Sequence, residues 1–228
     1  LYFHLIRHDP KRPEWKDRDY VFLSNGHICP VWYATLAESG YFSKSELMNL
    51  RTFEGMLQGH PLASMTPGVE NSSGPLGQGF SMAVGAALAL DRDKNRNKVF
   101  ALVCDGELNE GQAWEAALLA GKYKPNNLIT IVDYNKIQLD GPTDEIMPFG
   151  DIHKKFQAFG FKVFRCNGNN MLQAVKTIRE AMDHKGAPAV VIAHNTPGKG
   201  ISYMEGKAEW HGKAPKGEEV DLALEELM

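Results

Sequence analysis

Two short, unbroken apolar runs, Val99 to Val103 and Leu128 to Val132, flank a segment of strong helix formers, and this succession constrains the chain most. Apolar runs of that length, bounded by turn residues, read as fully buried strands. Between them Gly111 to Ala120 reads as a helix that stops near Gly121 and Pro125. A helix between two strands returns the chain to the same end of the sheet, so the strands run parallel. Lys162 to Arg165 and Ala189 to Ala193 add two strands, with a helix over about Met171 to His184. The pattern predicts an α/β fold: a doubly wound, mainly parallel sheet with helices on both faces.

The 228 residues, 43% hydrophobic and 23% charged, suit one folded domain over residues 1–228. No internal repeat interrupts it. A net charge of -3 with scattered Lys and Arg gives no surface for nucleic acid. Cys29, Cys104 and Cys166 show no CxxC spacing, which points to a reducing compartment and hence the cytoplasm. The opening segment, Leu1 to Pro10, is too short and interrupted for a signal peptide or a membrane span and reads like the end of a helix. Gly74 to Gly79 leads into an apolar helix over Phe80 to Leu90. Residues 196–228 read as a surface loop and a tail with a short acidic helix around Val220 to Leu227.

Chemistry concentrates where the strands end. Asp105 follows the first strand at once, and in open parallel sheets ligands bind at the carboxyl ends of strands. Gly106 lets backbone approach a phosphate, and the next helix start offers N–H donors. Asn135 lies just past the second strand, so its amide oxygen can converge with Asp105. Magnesium takes oxygen ligands and completes its shell with water and phosphates, so Asp105, Asn135 and a nearby carbonyl suffice. Taken singly, Asp105 also suits a helix cap and Asn135 a self-bonded turn.

Six segments carry a more specific signal: Ser24 to His27, Gly59 to Pro61, Gly74 to Gly79, Asp105 to Gly111, Asn135 to Gly141, and His211 with Gly212. In this order they resemble the transketolase family, with its thiamine-diphosphate-binding fold. The resemblance implies that Asp105, Asn135 and the Ile137 carbonyl bind magnesium, or calcium or manganese in its place. It sets Gly106 and His27 against the diphosphate of thiamine diphosphate, with Glu107 and His211 among the cofactor-binding residues. Gly74, Pro75 and Leu76 would flank the aminopyrimidine. His60 and His211 would bind ketose hydroxyls and assist proton transfer, and Glu110 would lie at a subunit contact coupling active sites.

The family motif usually begins Gly-Asp-Gly, whereas this chain has Cys104 before Asp105, a departure that implies a modest adjustment. The family's pyrimidine-binding domain and an amino-terminal Ser-Gly-His-Pro-Gly helix start lie outside the sequence. The resemblance therefore implies that the pyrimidine-binding domain is supplied by a separate chain, in a heterotetramer containing a homodimer of this one. It also implies sugar phosphates as substrates, as in the pentose phosphate pathway; a fragment of a longer enzyme is the other possibility. The alternatives are a deoxyxylulose-phosphate synthase, the alpha chain of a 2-oxo acid dehydrogenase, or a non-catalytic regulatory subunit. His4, His8, His153, His184 and His194 read as surface or packing residues, as do Trp32, Trp114 and Trp210. Lys199 reads equally as a phosphate contact or a solvated lysine.

Overall fold

A computed structural model describes all 228 residues. The chain forms β1 (Tyr20–Leu23), α1 (Cys29–Glu38), α2 (Gln78–Arg92), β2 (Val99–Cys104), α3 (Gly111–Tyr123) and β3 (Leu128–Tyr134). A small antiparallel hairpin follows, β4 (Ile137–Gln138) with β5 (Gly141–Pro142), then α4 (Thr143–Ile146) and α5 (Ile152–Ala158). The last elements are β6 (Lys162–Asn167), α6 (Met171–Asp183), β7 (Ala189–His194) and α7 (Glu218–Leu227). Five strands join in the order β1-β2-β3-β7-β6, and every pair is parallel.

Alternation along the strands splits the core into two layers. Val99, Ala101 and Val103 of β2 pack with Phe80, Ala83, Val84, Ala113, Ala117 and Phe156, so α2, α3 and α5 cover one face. Phe100 points the other way, into a layer with Trp32, Tyr33 and Leu36 of α1 and Ala181 of α6. Small residues let α3 lie close to α2, which itself rests on β1, β2 and β3. Capping fixes other helix starts. Asp151 accepts from His153 and Lys154 N–H, and Asn170 accepts from Gln173 N–H.

The expected strands and helices are present, and four strands run further than their apolar runs, to Cys104, Tyr134, Asn167 and His194. Their last residues are polar because the carboxyl edge faces the site. β1 and α1 were not foreseen: β1 is only four residues long, and α1 carries apolar residues without a clean stripe. The opening segment starts with a helical turn. Leu5 N–H closes one turn on the Leu1 carbonyl at 2.9 Å, after which Arg7 binds Asp19 through backbone (2.9 Å) and guanidinium (3.0 Å). That carboxylate also accepts from Lys98 N–H at 2.8 Å, so it ties the end of the segment to the sheet. Residues 196–217 form turns over the surface, and α7 is tied back by Glu226 to the Ser202 hydroxyl at 2.6 Å. No helix is long and apolar enough to cross a membrane.

Candidate active site

The carboxyl ends of β2 and β3 are stitched together by Asp105. Its side chain is fully buried; one oxygen accepts from Gly106 N–H at 2.8 Å and the other from Lys136 N–H at 2.5 Å. Burial pushes its carboxyl up to about 6, against these backbone donors. Asn135 occupies the same turn: its amide oxygen accepts from Ile137 N–H at 2.9 Å and its Nδ2 donates to Asp133 at 2.9 Å. Both the cap and the turn geometry are thus present, and they bring the two candidate ligands onto one turn beside Ile137. A carboxylate, an amide oxygen and a peptide carbonyl form a hard oxygen set that fits magnesium. No group of three or more His, Cys, Asp or Glu side chains is gathered as a metal cage, so a cation here draws on this mixed set and on ligand phosphates.

Around it the Gly-rich loops approach closely. A Cβ on Gly26 would stand 2.8 Å from the Ser73 carbonyl carbon and 2.9 Å from Gly74 N, so the loop after β1 rests directly on the Gly74 segment. Pro75 is exposed and Leu76 half-buried. Gly106 lies opposite Gln138 of the hairpin, 3.5 Å from its Cβ to where a side chain would start.

The structure gives Glu107 a different part from the expected cofactor contact. It is sealed from solvent, and one carboxylate oxygen accepts both the Ser24 hydroxyl and Gly77 N–H, the latter at 2.6 Å. Ser24 Oγ in turn accepts from Phe80 N–H at 2.8 Å. Glu107 is therefore a clasp between the Asp105 loop, the His27 loop and the start of α2. Its other oxygen is buried without a partner, and burial raises its pKa.

His27 sits on the short 3-10 turn Gly26–Ile28, His60 lies against Gly74, and His211 follows the 3-10 turn Ala208–Trp210. All three are exposed. Partial desolvation lowers the His27 pKa, and the nearness of His211 and His60 lowers it further. Desolvation also lowers that of His211, with Asp133 opposing. The three rings share one neighbourhood, suited to hydrogen-bond hydroxyls and accept protons. Glu110 caps α3, exposed, with its Cβ 3.5 Å from where a side chain on Gly77 would begin. His153 and His194 pair with each other instead, Nε2 to Nε2 at 3.4 Å, and Lys199 binds Glu205 at 2.5 Å. Burial pushes the Cys104 thiol up to about 12, with Glu107 adding to it, which disfavours the thiolate.

Asp133 and Ser24 carry parts that their sequence motifs did not disclose. The available signal was a carboxylate two residues before Asn135 at a strand end.

The family profile described as "Transketolase, thiamine diphosphate binding domain" matches residues 1–227. The chain belongs to the transketolase family. Members of this transketolase family are thiamine-diphosphate-dependent transferases, and the matched region is their cofactor-binding domain. The chain is 46% identical over 227 residues to an apulose-4-phosphate transketolase subunit from Actinobacillus succinogenes, covering 100% of this chain and 82% of that one. It is 40% identical to a 6-deoxy-6-sulfo-D-fructose transketolase subunit from a Clostridium species, with 100% and 82% coverage. The crystal structure of Campylobacter jejuni transketolase superposes with a TM-score of 0.92 at 36% identity, covering 99% of this chain and 36% of that one. The chain thus spans about a third of that full-length transketolase.

Proposed function

We propose that this chain is the diphosphate- and metal-binding subunit of a split transketolase, moving a two-carbon ketol unit from a ketose phosphate to an aldose phosphate. The observation that carries the reading is the gathering of His27, His60 and His211 at the sheet edge that holds Asp105 and Asn135. Asp105, Asn135 and the Ile137 carbonyl hold magnesium; Gly106 and His27 face the diphosphate; Gly74, Pro75 and Leu76 line the aminopyrimidine. Bound thiamine diphosphate supplies the carbanion chemistry that cleaves and forms the carbon–carbon bond. His60 and His211 hold the sugar hydroxyls and move their protons, which neutral imidazoles do best.

The partner is a pyrimidine-binding chain that brings the activating carboxylate and the pocket for the sugar's anionic end. Relatives at 46% and 38% identity are named as transketolase subunits, which supports a divided enzyme. Glu110 meets the partner assembly in a heterotetramer, and the chain acts as one cytoplasmic domain. The names of relatives point to apulose 4-phosphate and 6-deoxy-6-sulfo-D-fructose, so the sugar preference is set beyond the cofactor loops.

The test is ketol transfer by the chain together with its partner, thiamine diphosphate and magnesium. Donor ketoses are xylulose 5-phosphate, apulose 4-phosphate and the sulfosugar, each supplied with an aldose phosphate. Transfer from xylulose 5-phosphate or apulose 4-phosphate supports the reading, and transfer from the sulfosugar alone overturns the phosphate donor. Consumption of pyruvate alone, or no magnesium-dependent cofactor binding, overturns it.

A further inference from the structure

We infer that Asp133 is a positioning residue that fixes the Asn135 amide with its oxygen toward the cation and ties that orientation to Asn195, just past β7. The inference rests on the magnesium reading above. Asp133, the penultimate residue of β3, spends its two carboxylate oxygens on two amides: Oδ2 accepts from Asn135 Nδ2 at 2.9 Å, and Oδ1 from Asn195 Nδ2 at 2.5 Å.

A side-chain amide can turn over, exchanging its oxygen and nitrogen. At Asn135 both ends oppose that exchange. Turned over, the oxygen would face the Asp133 carboxylate and the NH2 would face Ile137 N–H, which now donates to the amide oxygen at 2.9 Å. An acceptor would meet an acceptor, and a donor a donor. With the amide held as it stands, its oxygen keeps a second lone pair for a cation beside Asp105.

The second arm is equally fixed. Asn195 N–H donates to the Tyr134 carbonyl at 3.1 Å, and its side-chain amide fills the space over Gly168, where a Cβ would fall 1.8 Å from Oδ1. That oxygen is buried without a partner, so the amide is held from its nitrogen side by Asp133. Asn195 opens the segment that leads on to His211.

A carboxylate is needed because each of its oxygens accepts from one amide; an asparagine at 133 turns an NH2 toward one of them and leaves that amide facing a donor. The experiment uses the full chain with its partner, titrating magnesium at saturating thiamine diphosphate and reading quench of intrinsic tryptophan fluorescence, alongside melting of the metal-free protein. Asp133→Asn is expected to raise the apparent magnesium Kd about 10- to 100-fold, the range for lost outer-shell partners, while the metal-free melting temperature stays near wild type. Asn195→Ala, which keeps the Asp133 charge, raises it less and carries the test should Asp133→Asn not fold. The double variant Asp133→Asn with Asn135→Ala binds magnesium no worse than Asn135→Ala alone, because Asp133 acts through that amide. Unchanged magnesium affinity in Asp133→Asn, or losses that simply multiply in the double variant, overturns the inference and leaves the metal reading standing. Absence of magnesium-dependent binding in the wild type overturns the metal reading and the inference with it.

Discussion

The His60 ring lies directly against the α-carbon of Gly74: a methyl group there would stand 3.2 Å from Cδ2 and 3.5 Å from Cγ. Gly74 also has φ +151, which side chains rarely adopt. Gly74→Ala therefore strains the backbone and pushes His60 at once. We expect about 1–3 kcal/mol lower stability and a fall in ketol transfer. Denaturant unfolding and a coupled transfer assay with the partner chain check it; a variant as stable and active as wild type would reject the contact.

Removing Glu107 leaves the Ser24 hydroxyl and Gly77 N–H buried without an acceptor. Glu107→Ala is expected to lose about 1–3 kcal/mol per orphaned group and to weaken thiamine diphosphate binding, because the loops it joins face the cofactor. Glu107→Gln keeps an acceptor oxygen and recovers most of the loss. Urea unfolding and cofactor titration of the three proteins test the order; equal midpoints for Ala and Gln would contradict it.

The histidines should separate by role. His60→Ala lowers kcat by about 10²- to 10⁴-fold with cofactor and magnesium affinity retained, while His211→Ala, at a position also expected to touch the cofactor, lowers kcat and thiamine diphosphate affinity together. His27→Ala instead raises the apparent Kd for thiamine diphosphate, since it faces the diphosphate in the proposed arrangement. Steady-state kinetics beside cofactor titration distinguishes them; a lost cofactor affinity in His60→Ala would count against this assignment.

Stability should depend on pH through Glu70, away from the site. Its carboxylate receives the Arg18 guanidinium at 2.7 Å, yet burial pushes its pKa up to about 7 from an ordinary 4.5. The folded chain then holds a proton that the unfolded chain has released. The contribution is complete below about 4.5 and is lost as pH rises through about 7. Glu70→Gln removes that slope. Urea midpoints at about pH 5 and about pH 7.5 measure it; identical slopes in both proteins would disprove it.

Much of the fold was legible because β2, β3 and β7 are buried on both faces and show it as apolar runs. β1 was not: four residues with a polar beginning give little pattern, and they become a strand by pairing with β2. At the site, Asp105 and Asn135 were readable because each follows a strand directly. The Glu107 clasp and the two amides on Asp133 were not, since Ser24, Gly77 and Asn195 arrive from distant parts of the chain. The resemblance that set Glu107 among the cofactor-binding residues does not disclose that its side chain turns inward.

The Glu107 clasp has a bearing on how such a protein diversifies. It welds three loops into one unit, so a substitution in any of them is felt in the others and selection holds them together. The segment from Thr196 to Gly217 stands outside that weld, fastened at its base through Asn195 and along its length by surface pairs such as Lys199 with Glu205. Substitutions along that segment, His211 apart, therefore do not pass through the clasp to the three loops.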